Sequence, residues 1–191
     1  KYFKKKINNN YLLDKNNLNN IHFVYKISKI FNISNHIIFK SLNLFQGLKF
    51  RKQIIFNKPE LKIINDSKST SFSSTNRLLL TYKNIYWIVG GILKKGDKFI
   101  IKKKYRKNIK AYIIGLNKKK YIDQFKNKIQ FKYCKYLKNA ILNLKKDIKK
   151  DPEEKTILFS PAAASFDQFK NFEDRGNYFN TLIKKIDLYG K

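Results

Sequence analysis

Cysteine, methionine and arginine are nearly absent from this 191-residue sequence, and acidic residues are scarce. One cysteine, Cys134, excludes an internal disulfide and any cysteine-cluster metal site. It falls in "IQFKYC", which reads as a buried strand, so a small core residue is expected there rather than a reactive thiol. His22 and His36 fall on apolar helical faces and read as structural. No methionine occurs and the sequence opens on Lys1, which suggests a fragment or a processed piece. No apolar run approaches the roughly 18 residues that span a membrane, and no signal peptide is visible, so a cytoplasmic location is expected.

What is abundant is lysine. The 43 basic residues against 13 acidic ones give a formal charge of +30, yet only positions 51, 77, 106 and 175 are arginine. Such a charge ordinarily points to nucleic acid or an anionic membrane. Nucleic-acid readers favour arginine for its bidentate fork, however, and arginine is what is missing. The enriched residues Lys, Asn, Ile, Phe and Tyr share A+T-rich codons, so compositional drift accounts for the charge better than an RNA footprint does. No nucleic-acid partner is expected. The competing reading is a basic α/β module that binds RNA or another polyanion through its lysine faces.

A hydrophobic content of 42% is ample for a packed core. Residues 17–32 place Ile21, Val24, Ile27 and Phe31 at helical spacing, and a second helix, "HIIFKSLNLF", follows a cap at Ser34 or Asn35. "QIIF" and "LKIIN" read as strands joined by the turn "NKPE". From there strands and helices alternate: a helix from about Thr70 to Tyr82, then "IYWIVG", "KAYIIG", "KKYIDQFKN", "IQFKYC", "YLKNAILNLKKDIKK", "KTILFS", and helices from Ser165 onward. This order predicts right-handed crossovers and a three-layer, Rossmann-like α/β fold. Its mostly parallel sheet carries helices on both faces and follows a short helical segment. The expected domains are 1–45, a truncated helical tail, and 46–191.

Ligands in such a sheet bind beyond the carboxyl ends of the strands. Three strand-ending loops are unusual there: "NDSKST" (65–70), "GGILKKG" (90–96) and "SPAAAS" (160–165). The last belongs to the stretch 160–179, which sums to −1 within a chain of +30 and holds three of the five alanines. Small residues let a ligand approach the backbone. Ser67, Ser69 or Thr70 could cap the next helix, whose free N–H groups would attract an anion, and Ser165 could open another. Lys68 and Lys94 add positive charge. Asp66 is out of place in an anion site unless it accepts hydrogen bonds, for instance from ribose hydroxyls. Together the loops suggest a pocket for a nucleotide and a small dicarboxylate, while the residues by themselves establish no more than an α/β domain that binds an anionic ligand.

At the same residues the chain resembles the Mur ligases, in particular the branch that adds D-glutamate in peptidoglycan synthesis. The resemblance rests on "LFSPAAASFDQFKNFEDRGNYF", "INDSKST" with a displaced Asn76, "IVGGILKKGDKF", "LFQGLKFR" and "NNLNNI". It implies ATP-dependent amide formation through an acyl phosphate, with UDP-N-acetylmuramoyl-L-alanine and D-glutamate as partners. It also implies a monomer, with ATP and Mg2+ bound mainly by a central domain. Asn17 and Asn20 would contact adenine, Arg51 would face the phosphates, Asp66 would bind ribose and Lys68 would reach the phosphates. Thr70, Lys94, Ser165, Phe166 and Phe172 would surround D-glutamate. Asn16 and Phe50 stand where the family has histidine. No glycine-rich segment ending in Gly-Lys-Ser/Thr occurs, and no metal ligands or catalytic residues are assigned to this chain.

Overall fold

The computed structural model describes residues 2–9, 11–13 and 15–186. It divides into two compact units, Lys1–Leu48 and Lys49–Lys191. In the first unit, α1 (Tyr2–Lys6), α2 (Lys15–Ile30) and α3 (Asn35–Leu44) enclose a small core of Phe3, Ile7, Leu12 and Ile21. Ser34 caps α3 by accepting the Ile37 N–H, one of the two caps expected. The apolar face expected on α2 divides: Ile21 is buried, but Val24, Ile27 and Phe31 are exposed. The buried side instead follows Leu18, Ile21 and Tyr25, so α2 is apolar on two sides. His22 and His36 are exposed, the former with its ring edge-on to Phe3 at 4.5 Å.

The second unit is a six-stranded sheet in the order β1-β2-β6-β3-β4-β5. Its strands are β1 (Gln53–Lys58), β2 (Leu61–Asn65), β3 (Ile85–Gly90), β4 (Ile109–Ile114), β5 (Gln130–Lys135) and β6 (Lys155–Phe159). β1 runs antiparallel to β2, and every other pairing is parallel. The sheet is covered on one face by α6 (Leu137–Ile148) and α7 (Phe172–Ile186), and on the other by α4 (Phe72–Thr81) and α5 (Lys118–Phe125). Alternation along each strand feeds both layers. Ile63, Tyr86, Ile88 and Tyr112 point to α6 and α7, while Ile64, Trp87, Val89 and Ala111 point to α4 and α5. The central strands are therefore apolar on successive positions, as a sheet buried on both faces requires.

Three expectations need correction. "IQFKYC" is not a buried strand: β5 lies at the sheet edge, where only Cys134 is buried and the other side chains alternate between exposed and half-buried. α4 begins at Phe72 with Ser71 as its cap, not Ser67, Ser69 or Thr70. Ser71 and Ser74 form a reciprocal capping box there. No regular helix starts at Ser165; residues 165–171 are turns, and α7 begins at Phe172. Among the described residues, no helix is long and apolar enough to cross a membrane.

Candidate active-site edge

Because β2, β6 and β3 run parallel, the loops after them emerge at the same rim of the sheet. The backbone fastens them to one another. The Asp66 N–H donates to the Phe159 carbonyl (2.7 Å), and the Gly90 N–H donates to the Pro161 carbonyl (2.9 Å). Ile92 and Ala164 exchange both of their N–H···O bonds, at 2.9 and 3.1 Å. That bridge explains the glycine: a Cβ on Gly91, whose φ is +127°, would lie 2.2 Å from the Ala164 carbonyl oxygen. Ala162 is buried with φ at +58°, a strained conformation for a residue with a Cβ.

A side-chain clamp that the sequence did not reveal completes the joint. Arg175, on the first turns of α7, is 1% exposed. Its Nε donates to Ser67 Oγ (3.1 Å), one terminal nitrogen donates to the Ser67 carbonyl (2.7 Å), and the other to the Ala163 carbonyl (3.0 Å). One guanidinium thus binds the first loop to the third. Burial lowers its pKa to about 10, partly offset by Tyr121 and Asp167, and it stays protonated at neutral pH. In sequence it reads as one more surface charge on an amphipathic helix. The only signal was that a lone arginine stands in the least basic stretch of the chain.

The second loop is tied to the first through Asp97. Its carboxylate accepts the Phe72 N–H at the start of α4 (2.8 Å), and its own N–H donates to the Lys94 carbonyl (3.2 Å). The helix start expected to attract an external anion therefore already has one N–H occupied by an internal carboxylate.

Asp66 is 7% exposed, and each oxygen already accepts a hydrogen bond. Oδ1 takes the Lys52 N–H (3.0 Å) and Oδ2 takes the Ser160 hydroxyl (2.8 Å). Burial pushes its pKa up to about 6, against the lowering effect of those bonds and of the charges of Lys52 and Arg51. Lys68 lies with its Nζ 3.8 Å from the centre of the Phe172 ring, so two expected site residues meet directly. Phe50 joins them edge-on to Phe172 at 6.4 Å. Its carbonyl accepts the Lys68 N–H (3.0 Å), and Phe50 is buried where the family has histidine. Thr70 is half-buried, Lys94 and Arg51 are exposed, Ser165 is buried and Phe166 is 70% exposed. Asn17 and Asn20 lie one turn apart on α2, and the Asn17 amide N–H donates to the Tyr11 carbonyl (2.7 Å). The Asn16 side chain lies outside the described part of the chain.

No family model matches this chain. Curated relatives do. A UDP-N-acetylmuramoylalanine–D-glutamate ligase from Rickettsia bellii is 37% identical over 185 residues, covering 96% of this chain and 41% of the relative. One from the Wolbachia of Brugia malayi is 35% identical over 170 residues, covering 89% of this chain and 34% of the relative. Over the stretch it spans, the chain belongs to the Mur ligase family. It spans only about a third to two-fifths of the length of these relatives. Solved Mur ligases share the fold. MurF from Acinetobacter baumannii superposes with a TM-score of 0.65 over 93% of this chain and 38% of that one, and UDP-N-acetylmuramate–alanine ligase MurC from Thermotoga maritima with 0.59 over 90% and 38%. Both are 18% identical to it. The Mur resemblance read from the loop motifs and the α/β architecture agree with these findings, and the basic polyanion-binding alternative is not favoured.

Proposed function

We propose that this chain is the C-terminal part of the ligase that joins D-glutamate to UDP-N-acetylmuramoyl-L-alanine. In this reading residues 1–45 are the tail of a central ATP-binding domain, and residues 46–191 carry the amino-acid pocket and part of the nucleotide site. The observation that carries it is the rim itself, where three interlocked loops bring the segments of Asp66, Lys68, Lys94 and Ser165 to one edge. The exposed Phe23, Val24, Ile27 and Ile30 of α2 support the domain reading, since an uncovered apolar stripe on a helix suits a face that packs against further protein.

In the reaction, the alanyl carboxylate takes the terminal phosphoryl group of ATP. The D-glutamate amine attacks the acyl carbon, the carbon–oxygen bond to phosphate breaks, and an amide forms. This chain's residues would bind and orient. Lys94, exposed and unencumbered by burial, would hold a glutamate carboxylate as a point charge, with Thr70, Ser165, Phe166 and Phe172 around the rest. Asn17 and Asn20 offer amide groups that suit an adenine edge, and Asp66 offers a carboxylate that suits ribose hydroxyls. Lys68 would turn from the Phe172 face, and Arg51 from solvent, toward phosphate. Mg2+ would neutralise phosphate charge when bound. Among the described residues no three His, Cys, Asp or Glu side chains gather into a metal-binding cluster.

The test is a calorimetric titration of the chain with D-glutamate and with L-glutamate. D-glutamate is expected to bind selectively, Lys94→Ala to abolish binding, and Ser165→Ala to weaken it by about 1.5–3 kcal/mol, one charge-assisted hydrogen bond. Equal binding of the two enantiomers, or an unaffected Lys94→Ala variant, would overturn the assignment. The isolated chain is expected to release no ADP from ATP.

A further inference from the structure

Behind the rim, five polar side chains form an unbroken line. Asp66 Oδ2 lies 2.8 Å from Ser160 Oγ, which lies 2.7 Å from Thr75 Oγ1. Thr75 Oγ1 lies 2.6 Å from Ser69 Oγ, which lies 2.6 Å from Ser74 Oγ. Asp66, Ser160, Thr75 and Ser69 are all buried, while Ser74 is exposed at the first turn of α4. In each of the three hydroxyl–hydroxyl contacts either oxygen can be the donor.

The arrangement is not what local preference alone gives. A threonine inside a helix usually bonds back to the carbonyl four residues earlier. For Thr75 that carbonyl, Ser71, already accepts the Thr75 N–H and the Ser74 hydroxyl (3.3 and 2.7 Å), and the Thr75 hydroxyl points to Ser160 and Ser69 instead. The Ser160 carbonyl accepts the Trp87 indole N–H (2.8 Å) and lies 3.5 Å from the Thr75 hydroxyl, whose nearer partner is the Ser160 hydroxyl (2.7 Å).

We propose that Asp66, Ser160, Thr75, Ser69 and Ser74 form a hydroxyl relay that carries a proton between the buried carboxylate and the exposed start of α4. Each hydroxyl has one proton, so with every link of the line occupied the chain has two polarities, and the Ser71 carbonyl (2.7 Å from Ser74 Oγ) and the Ser160 carbonyl (3.5 Å from Thr75 Oγ1) are the competing acceptors. With Asp66 ionised, the donors run inward: Ser74 to Ser69, Ser69 to Thr75, Thr75 to Ser160 and Ser160 to Asp66 Oδ2. A proton delivered to Ser74 Oγ by hydronium or a buffer acid, which leaves as water or the conjugate base, displaces the next proton at each oxygen in turn. One O–H bond forms and one breaks at every hydroxyl, and the net change is a proton gained at Asp66 Oδ2. The donors then run outward, and Ser74 turns to the Ser71 carbonyl. Oδ2 is the oxygen in contact with the hydroxyl line, whereas Oδ1 accepts the Lys52 N–H. The charges acting on the carboxyl are those of Lys52 and Arg51, both positive, and burial opposes them, which puts its titration at a pH where both polarities are populated.

The relay goes beyond the ligase assignment and stands whether or not D-glutamate is the ligand. It is tested by carbon-13 NMR of the 191-residue chain across a pH titration, following Asp66 Cγ together with the Cβ resonances of Ser160, Thr75, Ser69 and Ser74. The expected result is one shared midpoint at all five residues. Thr75→Val should leave the inflection at Ser160 and erase it at Ser69 and Ser74, while Thr75→Ser restores it. Ser160→Ala, which cuts the next link, should erase it at Thr75, Ser69 and Ser74 and serves equally if Thr75→Val does not fold. Flat Ser69 and Ser74 resonances across the Asp66 transition, or an inflection that survives both cuts, would show a static hydrogen-bond network and sink the relay.

Discussion

Asp66 shows how one side chain can serve the joint at a cost to the fold. Its carboxyl titrates near pH 6 rather than at the ordinary 3.8, because burial penalises the ion more than its hydrogen bonds relieve it. The folded state therefore binds more protons than the unfolded chain between about pH 4 and 6. Stability should fall as pH rises through that window and stay reduced above it, by about 3 kcal/mol for a shift of roughly two units. Urea unfolding of the wild type and of Asp66→Asn from about pH 4 to about pH 7.5 isolates this effect. The wild-type profile should slope downward relative to the variant, and parallel profiles would refute it. Arg175 makes the complementary case. Its three bonds reach two loops, and a lysine in its place could not satisfy them with a single ammonium. Arg175→Lys is expected to destabilise by about 2–4 kcal/mol, with amide exchange accelerated first at Ser67–Ser69 and Ala163–Ser165; a change under about 0.5 kcal/mol would remove the clamp.

The packing of α7 against the 49–52 turn rests on an absent side chain. A Cβ on Gly176 would lie 2.3 Å from the Phe50 ring, and Phe50 is itself held at φ +62° by the turn. Gly176→Ala should cost about 1–3 kcal/mol through overpacking. In a Phe50→Ala background the same change should cost far less, and a double-mutant cycle with no coupling would contradict the contact. Such a fit is not legible from sequence, because Gly176 in "EDRGNY" reads only as a weak helix position. The central strands were legible, since Ile, Val, Tyr and Trp at successive positions fit only a sheet covered twice. β5 was misread because "IQFKYC" has the same vocabulary, and sheet order, not composition, left it at the edge. α2 was misread because its apolar residues cover two sides, and a single periodicity cannot say which side the fold buries. At the rim the three loops were legible from glycine, alanine and serine punctuation. The members that lock them together, Arg175, Asp97, Ser160 and Thr75, were not. Their types are ordinary surface and capping residues, and only long-range contact gives them a role.

The whole molecule carries a formal +30, most of it on lysines with no acidic residue near them in sequence. A compact fold holds those charges closer together than the unfolded chain does, so self-repulsion opposes folding. Salt shortens its range: the screening length falls from about 30 Å at 0.01 M to about 10 Å at 0.1 M. Ion pairs such as the half-buried Lys110–Asp147 (2.8 Å) would weaken at the same time, but a pair still reached by solvent contributes only about 1 kcal/mol. With 43 cations against 13 anions, relief of repulsion outweighs loss of pairing. The melting temperature should therefore rise by several degrees between about 10 and about 300 mM sodium chloride, corresponding to about 1–3 kcal/mol for a chain of this size. Salt should act in the opposite direction on any polyanion bound by the lysine surface, whose affinity falls with each phosphate neutralised. D-glutamate, bearing a single net negative charge, should lose far less affinity over the same range. A melting temperature that falls with salt would mean the lysines are locally compensated in the fold. A steep salt dependence for glutamate would mean the surface field, rather than a defined pocket at the loop edge, attracts it.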